Sequence, residues 1–440
     1  MRGAIAAGHP GTAAVGAGVL ADGGNAVDAA VAAVLAAFVA EGPLTGPAGG
    51  GFLLVREPGT PPVVLDCFFA VPARARGEMV ELVIDFADAS TQVFHIGEES
   101  VAVPGLLAGL EEAHRRFGSW AWADLVEPAL VLARAGVEVN DAQAFLHEIL
   151  VPILQRDEGG RRIYAGGARL VTEDLVPALE LIRGDGAGAL AVLLPELAAD
   201  LAGYAVLERT PLRGTLFGHE ILTTPEPSMG GAVVQAALAA LDGSRDPAAL
   251  PGAIGRSYAG VAATTRVTGT THVAVLDAGG TVASFSSTLG SGSGVFRHGF
   301  QLNNMLGELD VIGREPRPAG SRLPSMMTPT LCLAEGEPRL VLGSAGSVRL
   351  AGAIAQVAWR VIARGEPVEE AIAAPRVHVD DGLLHLEGGW DEPVASELDV
   401  LRWSGSNLFF GGVSAVERRP GGELAAAGDP RRGGHGIVVP

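Results

Sequence analysis

Two periods of apolar spacing divide the chain. Before residue 242 apolar positions recur mostly at helical spacing, and from Thr270 onward they alternate with period two. The first clear element is a helix. Gly23-Gly24 break the chain, Asn25 can cap, and Asp28 supplies an acid in the first turn. Ala29 through Ala40 are then apolar on every face, the pattern of a helix buried on all sides. After the glycine-rich stretch 46–51, Phe52–Val55 reads as a buried strand with Val63–Asp66 as its partner. The spacing predicts helices over Leu106–Phe117, Trp120–Ala135, Leu175–Leu201 (broken at Gly184-Asp185-Gly186) and Gly230–Leu241. Asp242–Thr268 reads as a surface linker. Strands are predicted at Val273–Leu276, Val282–Phe285, Leu331–Leu333, Leu340–Leu342, Val377–Val379 and Leu384–Leu386. Helices are predicted at Ala351–Arg364 and Val368–Ala373. This mixture implies an α/β (α+β) fold with sheets stacked inside and helices outside.

Composition narrows the classes. The chain has 440 residues, 48% of them hydrophobic, enough for a large core. The net charge is −19 and all 31 basic residues are arginine. No Schiff-base lysine or lysine-bearing phosphate loop is available, and the acidity argues against nucleic acid or an anionic membrane as partner. Glycines 49–51 precede a strand, so a tight turn is favoured over a phosphate cradle. Cys67 and Cys332 lie among apolar residues, as buried free thiols do. The first ten residues lack a signal-peptide core, and Ala29–Ala40 is shorter than the ~20 residues that span a bilayer. A cytoplasmic protein is the expectation. No cofactor is implied. His378, Asp380, Asp381 and His385 bring two ligands to one strand face but indicate no third, so no metal is expected.

The candidate chemistry centres on Gly269-Thr270-Thr271-His272, followed by a strand-like run. Cleavage before Thr270 would free an α-amino group beside that residue's own hydroxyl. With an ordinary pKa of about 7.7–8.0, that amine is a usable base near neutrality. One residue then carries both nucleophile and base. His272 has apolar strand neighbours and reads as structural.

An ordered set of segments resembles the γ-glutamyltranspeptidase family of N-terminal-nucleophile hydrolases. The set runs Gly23–Ala30, Gly49–Phe52, Val103-Pro104-Gly105, Pro225–Gly231, Gly269–His272 and Leu302-Asn303-Asn304. It continues through Thr328-Pro329-Thr330, Gly343–Gly346, Ala374-Pro375-Arg376 and Gly428–Arg431. The resemblance implies a four-layer αββα sandwich and autocatalytic cleavage between Gly269 and Thr270. The products would be a large subunit (residues 1–269) and a small one (270–440) from one precursor, together one structural domain. Whether two such pairs form a homodimer is left open. The resemblance makes Thr270 the nucleophile and Thr288 the hydroxyl that holds it. Gly346 and Ser347 fall at the glycine pair whose amides form the oxyanion hole.

The departures from the family cluster on glutamate recognition. Phe68 stands where the family has an Arg for the substrate α-carboxylate. Gly290 replaces an Asn, Met305 a Gln, and Glu308 an Asp. In Ser325-Met326, Met326 replaces the second serine of a pair. A charge-assisted hydrogen bond contributes about 1.5–3 kcal/mol. Loss of the Arg alone therefore weakens glutamate binding by roughly one to two powers of ten. The expected function is an autoprocessed N-terminal-threonine amidohydrolase or acyltransferase acting on a small-molecule amide or peptide, with a more apolar acyl pocket. The alternatives are a genuine γ-glutamyltransferase (glutathione hydrolase) and an unprocessed, non-catalytic homologue.

Overall fold

The computed structural model describes residues 2–74, 79–85, 91–259, 269–313, 315–380, 382–394 and 397–440. Two sheets form its centre. The first has seven strands in the order His435–Val439, Gly3–Ala7, Gly269–Asp277, Val282–Gly290, Gly50–Arg56, Val63–Cys67 and Leu207–Arg209. The second has six, in the order Leu424–Gly428, Gly412–Arg418, Glu337–Ala345, Thr330–Ala334, His219–Thr223 and Leu212–Leu216.

Strand alternation assigns each face of the first sheet to a different layer. Leu53, Val55, Leu65, Val273 and Val275 pack with the helices Pro10–Ala21, Ala26–Ala40, Leu106–Phe117 and Trp122–Ala135. Phe52, Leu54, Val64, Ala274 and Leu276 point the other way, toward the second sheet. Beyond that sheet lie the helices Gly230–Leu241, Leu250–Ser257 and Arg349–Trp359. The result is the αββα sandwich. It explains why Phe52-Leu53-Leu54-Val55 is continuously apolar: both faces of that strand are buried.

The helix expected around Ala29–Ala40 spans Ala26–Ala40, is buried along its whole length, and starts with a capping box between Asn25 and Asp28. Leu106–Phe117, Gly230–Leu241 and Val368–Ala373 match their predicted limits. The linker reading of Asp242–Thr268 is corrected in part. Leu250–Ser257 is a helix whose Leu250, Ala253 and Ile254 are fully buried, while 260–268 lie outside the described residues. Leu175–Leu201 divides into short helices, Val176–Asp185, Ala189–Leu193 and Ala198–Ala202. The strand Gly3–Ala7, the edge strand His435–Val439 beside it, and the helix Asp141–Leu154 have no counterpart in the sequence reading.

Candidate active site

Thr270 is the second residue of Gly269–Asp277, an interior strand of the seven-stranded sheet. The ladder with Val282–Gly290 slips between Gly269 and Thr270: Gly269 faces Gly290, while Thr270 faces Thr288. An irregularity of this kind re-aims side chains and is common beside active sites. Thr270 and Thr288 share the sheet face that carries His272, Ser286 and Ala274 into the sandwich interior. The Thr270 hydroxyl lies 3.5 Å from that of Thr288. Thr288 Oγ1 donates to the Gly269 carbonyl oxygen and accepts from the Gly290 amide at 2.9 Å. The carbonyl of the bond expected to break is therefore already hydrogen-bonded in the continuous chain.

Thr270 opens onto a narrow cleft lined by Phe68, Thr288, Gly290, Met305, Glu308, Ser325, Met326 and Ser347, together with Val311, Met327 and Leu350. Every substrate-side residue expected from the sequence lies on this wall. Gly346 lies just behind it, at the turn into the helix Arg349–Trp359. Val311, Met327 and Leu350 were missed; Met327 follows Met326 directly, and Leu350 lies one turn after Ser347. Ser347 adopts a left-handed backbone (φ 56°), the conformation a glycine would favour there. Among the described residues, no backbone carbonyl accepts from its amide. Gly346 has φ 131°, and a Cβ there would lie 2.8 Å from Gly411 Cα.

That turn is held from behind by buried charges. Asp429 pairs with Arg376 at 2.5 Å and with Arg431 at 3.1 Å, and Arg431 pairs with Glu387 at 2.6 Å. Arg376 also donates to the carbonyls of Phe410 and Gly411, the glycine packed on Gly346. Burial pushes the Asp429 carboxyl up, but Arg376 and Arg431 outweigh it and hold it below the usual carboxylate range. The segments Ala374–Arg376 and Gly428–Arg431 thus shape the site without entering it.

The substrate-side substitutions have local causes. Gly290 has φ 68°, and a Cβ there would meet Asn304 Oδ1 at 2.3 Å and Glu308 Oε1 at 3.0 Å. Asn304 accepts from the Ser291 and Gly292 amides, and Glu308 from the Ser291 amide and hydroxyl, so this corner is closed to a side chain at 290. Phe68 stacks on Phe52 with ring centroids 5.2 Å apart and meets Phe69 edge-on at 5.0 Å. Asp66 engages two arginines, Arg209 at 2.8 Å and Arg322 at 3.4 Å. Arg322 also stacks on Tyr204, whose hydroxyl donates to the Phe68 carbonyl. Among the described cleft-lining residues, Glu308 is the one charged side chain. The Ser325 hydroxyl accepts from the Met327 amide and so braces its own loop.

His272 donates to or accepts from Ser286 at 2.8 Å, and burial lowers its pKa to about 3. It sits against Gly343 of the second sheet, where a Cβ would lie 2.3 Å from its ring. His378 faces His385 across two strands, and both pack on Phe409. No group of three potential metal ligands occurs among the described residues, and Asp381 lies outside them. Cys67 and Cys332 are buried free thiols, and burial pushes the Cys332 thiol up to about 12.

A threonine at the head of a central strand, in an αββα sandwich and beside a cleft, defines the class of N-terminal-nucleophile hydrolases. A family model for gamma-glutamyltranspeptidase matches residues 12–190 and 242–439, and the chain belongs to that family. It is 30% identical to the acylase ACY 1 proenzyme of Pseudomonas sp. (strain SE83), in an alignment covering 100% of this chain and 94% of the relative. It is 28% identical to the glutathione hydrolase proenzyme of Pseudomonas aeruginosa, covering 99% and 94%. The crystal structure of cephalosporin acylase from Bacillus halodurans superposes with a TM-score of 0.84 at 20% identity, over 99% of this chain and 95% of that one. The chain is accordingly an enzyme of the N-terminal-nucleophile hydrolase type. No described helix is long and apolar enough to cross a membrane.

Proposed function

We propose that Thr270 attacks the Gly269 carbonyl in the precursor and, once freed as an N-terminus, attacks an amide substrate whose acyl group is apolar and carries no carboxylate. In the first step Thr288 Oγ1, bonded to the Gly269 oxygen, stabilises the charge that develops there. That attack moves the Gly269 acyl group from the amide nitrogen to Thr270 Oγ1 as the nitrogen takes up the hydroxyl proton. Water then hydrolyses the ester, leaving residues 1–269 and 270–440 as the two subunits of one domain. In the second step the Thr270 amine takes the proton of its own hydroxyl as that oxygen adds to the substrate carbonyl. The Gly346 and Ser347 amides receive the oxyanion, each such donor contributing about 2.7–4 kcal/mol. The amine departs with a proton, and water or an acceptor amine resolves the acyl-enzyme.

One observation carries the substrate reading: the described wall around Thr270 combines Phe68, Met305, Met326, Val311 and Leu350 with a single charge, the acidic Glu308. A carboxylate in the acyl group would meet repulsion and find no cation there. The similarity to acylase proenzymes supports this reading.

Intact mass of the purified protein tests the first step, with two chains meeting at Gly269/Thr270 expected and one uncut chain expected for Thr270→Ala. Turnover of hexanoyl p-nitroanilide against γ-glutamyl p-nitroanilide tests the second. Preference for the hexanoyl compound is expected. Faster turnover of the γ-glutamyl compound, abolished by Thr270→Ala, would instead establish a γ-glutamyltransferase. An uncut wild-type chain would leave the non-catalytic homologue.

A further inference from the structure

Thr271 points away from the cleft, into the helical layer, and its hydroxyl donates to Glu41 Oε2 at 2.5 Å. Thr12 Oγ1 donates to the other oxygen of the same carboxyl at 2.7 Å. Glu41 is 2% exposed and sits at the C-cap of Ala26–Ala40. That is a poor place for an acid, because the helix C-terminus already carries partial negative charge and burial adds a desolvation cost. A side chain retained against both terms calls for a reason beyond capping.

The neighbourhood supplies one. A Cβ on Gly8 would sit 2.4 Å from Glu41 Oε2 and 2.6 Å from Thr271 Oγ1, so a glycine keeps the space in which the two meet. The turn after Glu41 reaches the other side of the bond expected to break: a Cβ on Gly269 would lie 2.9 Å from the Pro43 oxygen and 3.2 Å from Leu44 Cα. The Leu44 carbonyl accepts from the Leu289 amide, and Thr45 bonds Ser287 at 2.9 Å. One five-residue segment therefore grips the sheet on both strands at the level of Thr270. Before cleavage the nucleophile is also held by the peptide bond to Gly269. Afterwards that tether is gone, and strand ends fray unless they are tied down.

We propose that Glu41 is a positioning residue for turnover: by binding Thr271 it keeps the new N-terminus in place after the Gly269–Thr270 bond is broken. This rests on Thr270 being a nucleophile freed by cleavage. Glu41 touches neither substrate nor Thr270's reacting atoms; it acts through Thr271. Its contribution belongs to the cleaved enzyme, whereas a merely structural contact would matter equally before and after.

The test compares Glu41→Ala, Glu41→Gln, Thr271→Val and the Ala/Val double variant, each checked by intact mass. Glu41→Ala is expected to cleave, then to lose about tenfold or more in kcat on hexanoyl p-nitroanilide with KM within about twofold, as for a misplaced nucleophile. Glu41→Gln keeps an oxygen for Thr271 and is expected within about threefold of wild type. The double variant should be no worse than the weaker single, because both remove one contact. Hydrogen exchange over residues 270–277 gives a reading without substrate. Glu41→Ala should speed it about tenfold in the cleaved protein and leave it unchanged in the uncut Thr270→Ala background. A cleaved Glu41→Ala enzyme with wild-type kcat, or equal exchange before and after cleavage, would overturn the proposal. If Glu41→Ala does not fold, Thr271→Val carries the same test, and wild-type kcat there would overturn it. An uncut wild-type chain would show in the intact mass before any variant is compared, and would remove the reading on which this one rests.

Discussion

Ser347 occupies a left-handed backbone conformation with its hydroxyl buried and unbonded among the described residues. For an L-residue with a Cβ this costs about 1–2 kcal/mol. Ser347→Gly keeps the backbone amide proposed to receive the oxyanion and is expected to raise stability by about 1 kcal/mol in urea unfolding, with kcat little changed. A fall in stability would show that the hydroxyl contributes a contact. Thr288 makes the opposite case, because its hydroxyl is fully used. Thr288→Val retains the shape and removes the donor to the Gly269 carbonyl. Precursor cleavage is expected to slow by about 10²–10³-fold in an intact-mass time course. At this scale the sequence was most legible where an atom type is required. Thr270, Thr288 and Phe68, named from the resemblance, line one cleft. Glu41 escaped notice because its value depends on Thr271 and Gly8, which only the folded chain brings to it.

Elements meet at positions where a single carbon decides the spacing. Gly343, in Glu337–Ala345, lies against the His272 ring with no room for a Cβ. Gly343→Ala should push the two sheets apart near Thr270 and cost about 1–3 kcal/mol, seen as a lower urea midpoint with an unchanged m-value. The buried charges behind Gly346 are a second joint. Asp429→Asn leaves Arg376 and Arg431 without their shared anion and is expected to cost about 3–5 kcal/mol. Ala26–Ala40, with its capping box and apolar run, and Leu106–Phe117, with apolar residues at helical spacing, could be read from the chain. Gly3–Ala7 could not, since Ala-Ile-Ala-Ala has no alternation and becomes a strand only between Gly269–Asp277 and His435–Val439. Leu250–Ser257 was hidden by Pro251, Gly252 and Gly255, weak helix formers that its buried face overrides.

At the scale of the whole molecule, four buried or half-buried histidines make stability depend on pH. Burial lowers His147 and His385 to about 4 and His272 to about 3, and places His378 well below 6.5. Each is neutral when folded and free to take a proton at 6.5 when unfolded. Below pH 6.5 the unfolded chain therefore binds more protons, and stability falls with pH. This contribution is complete above pH 6.5 and is lost progressively toward pH 3–4. The melting temperature is expected to drop across that window, and His272→Asn should make the drop shallower. An unchanged profile in the variant would show that His272 is not among the groups responsible.

The amino-acid sequence by itself pointed to Thr270 as the proposed reacting group, Thr288 as its partner, the layered class of the fold, and Phe68 where the family has an arginine. Each is a matter of residue type at a position along one chain. Tertiary structure decided what those residues face. It brought Phe68, Glu308, Met326 and Ser347 from four distant segments to one wall. It showed that Gly290 is enforced by Asn304 and Glu308, and that Asp66 engages both Arg209 and Arg322 away from the cleft. It also set Glu41 behind Thr271. Such contacts join residues as far apart along the chain as Asp66 and Arg322, 256 positions, a proximity that local spacing does not encode and that only tertiary packing creates.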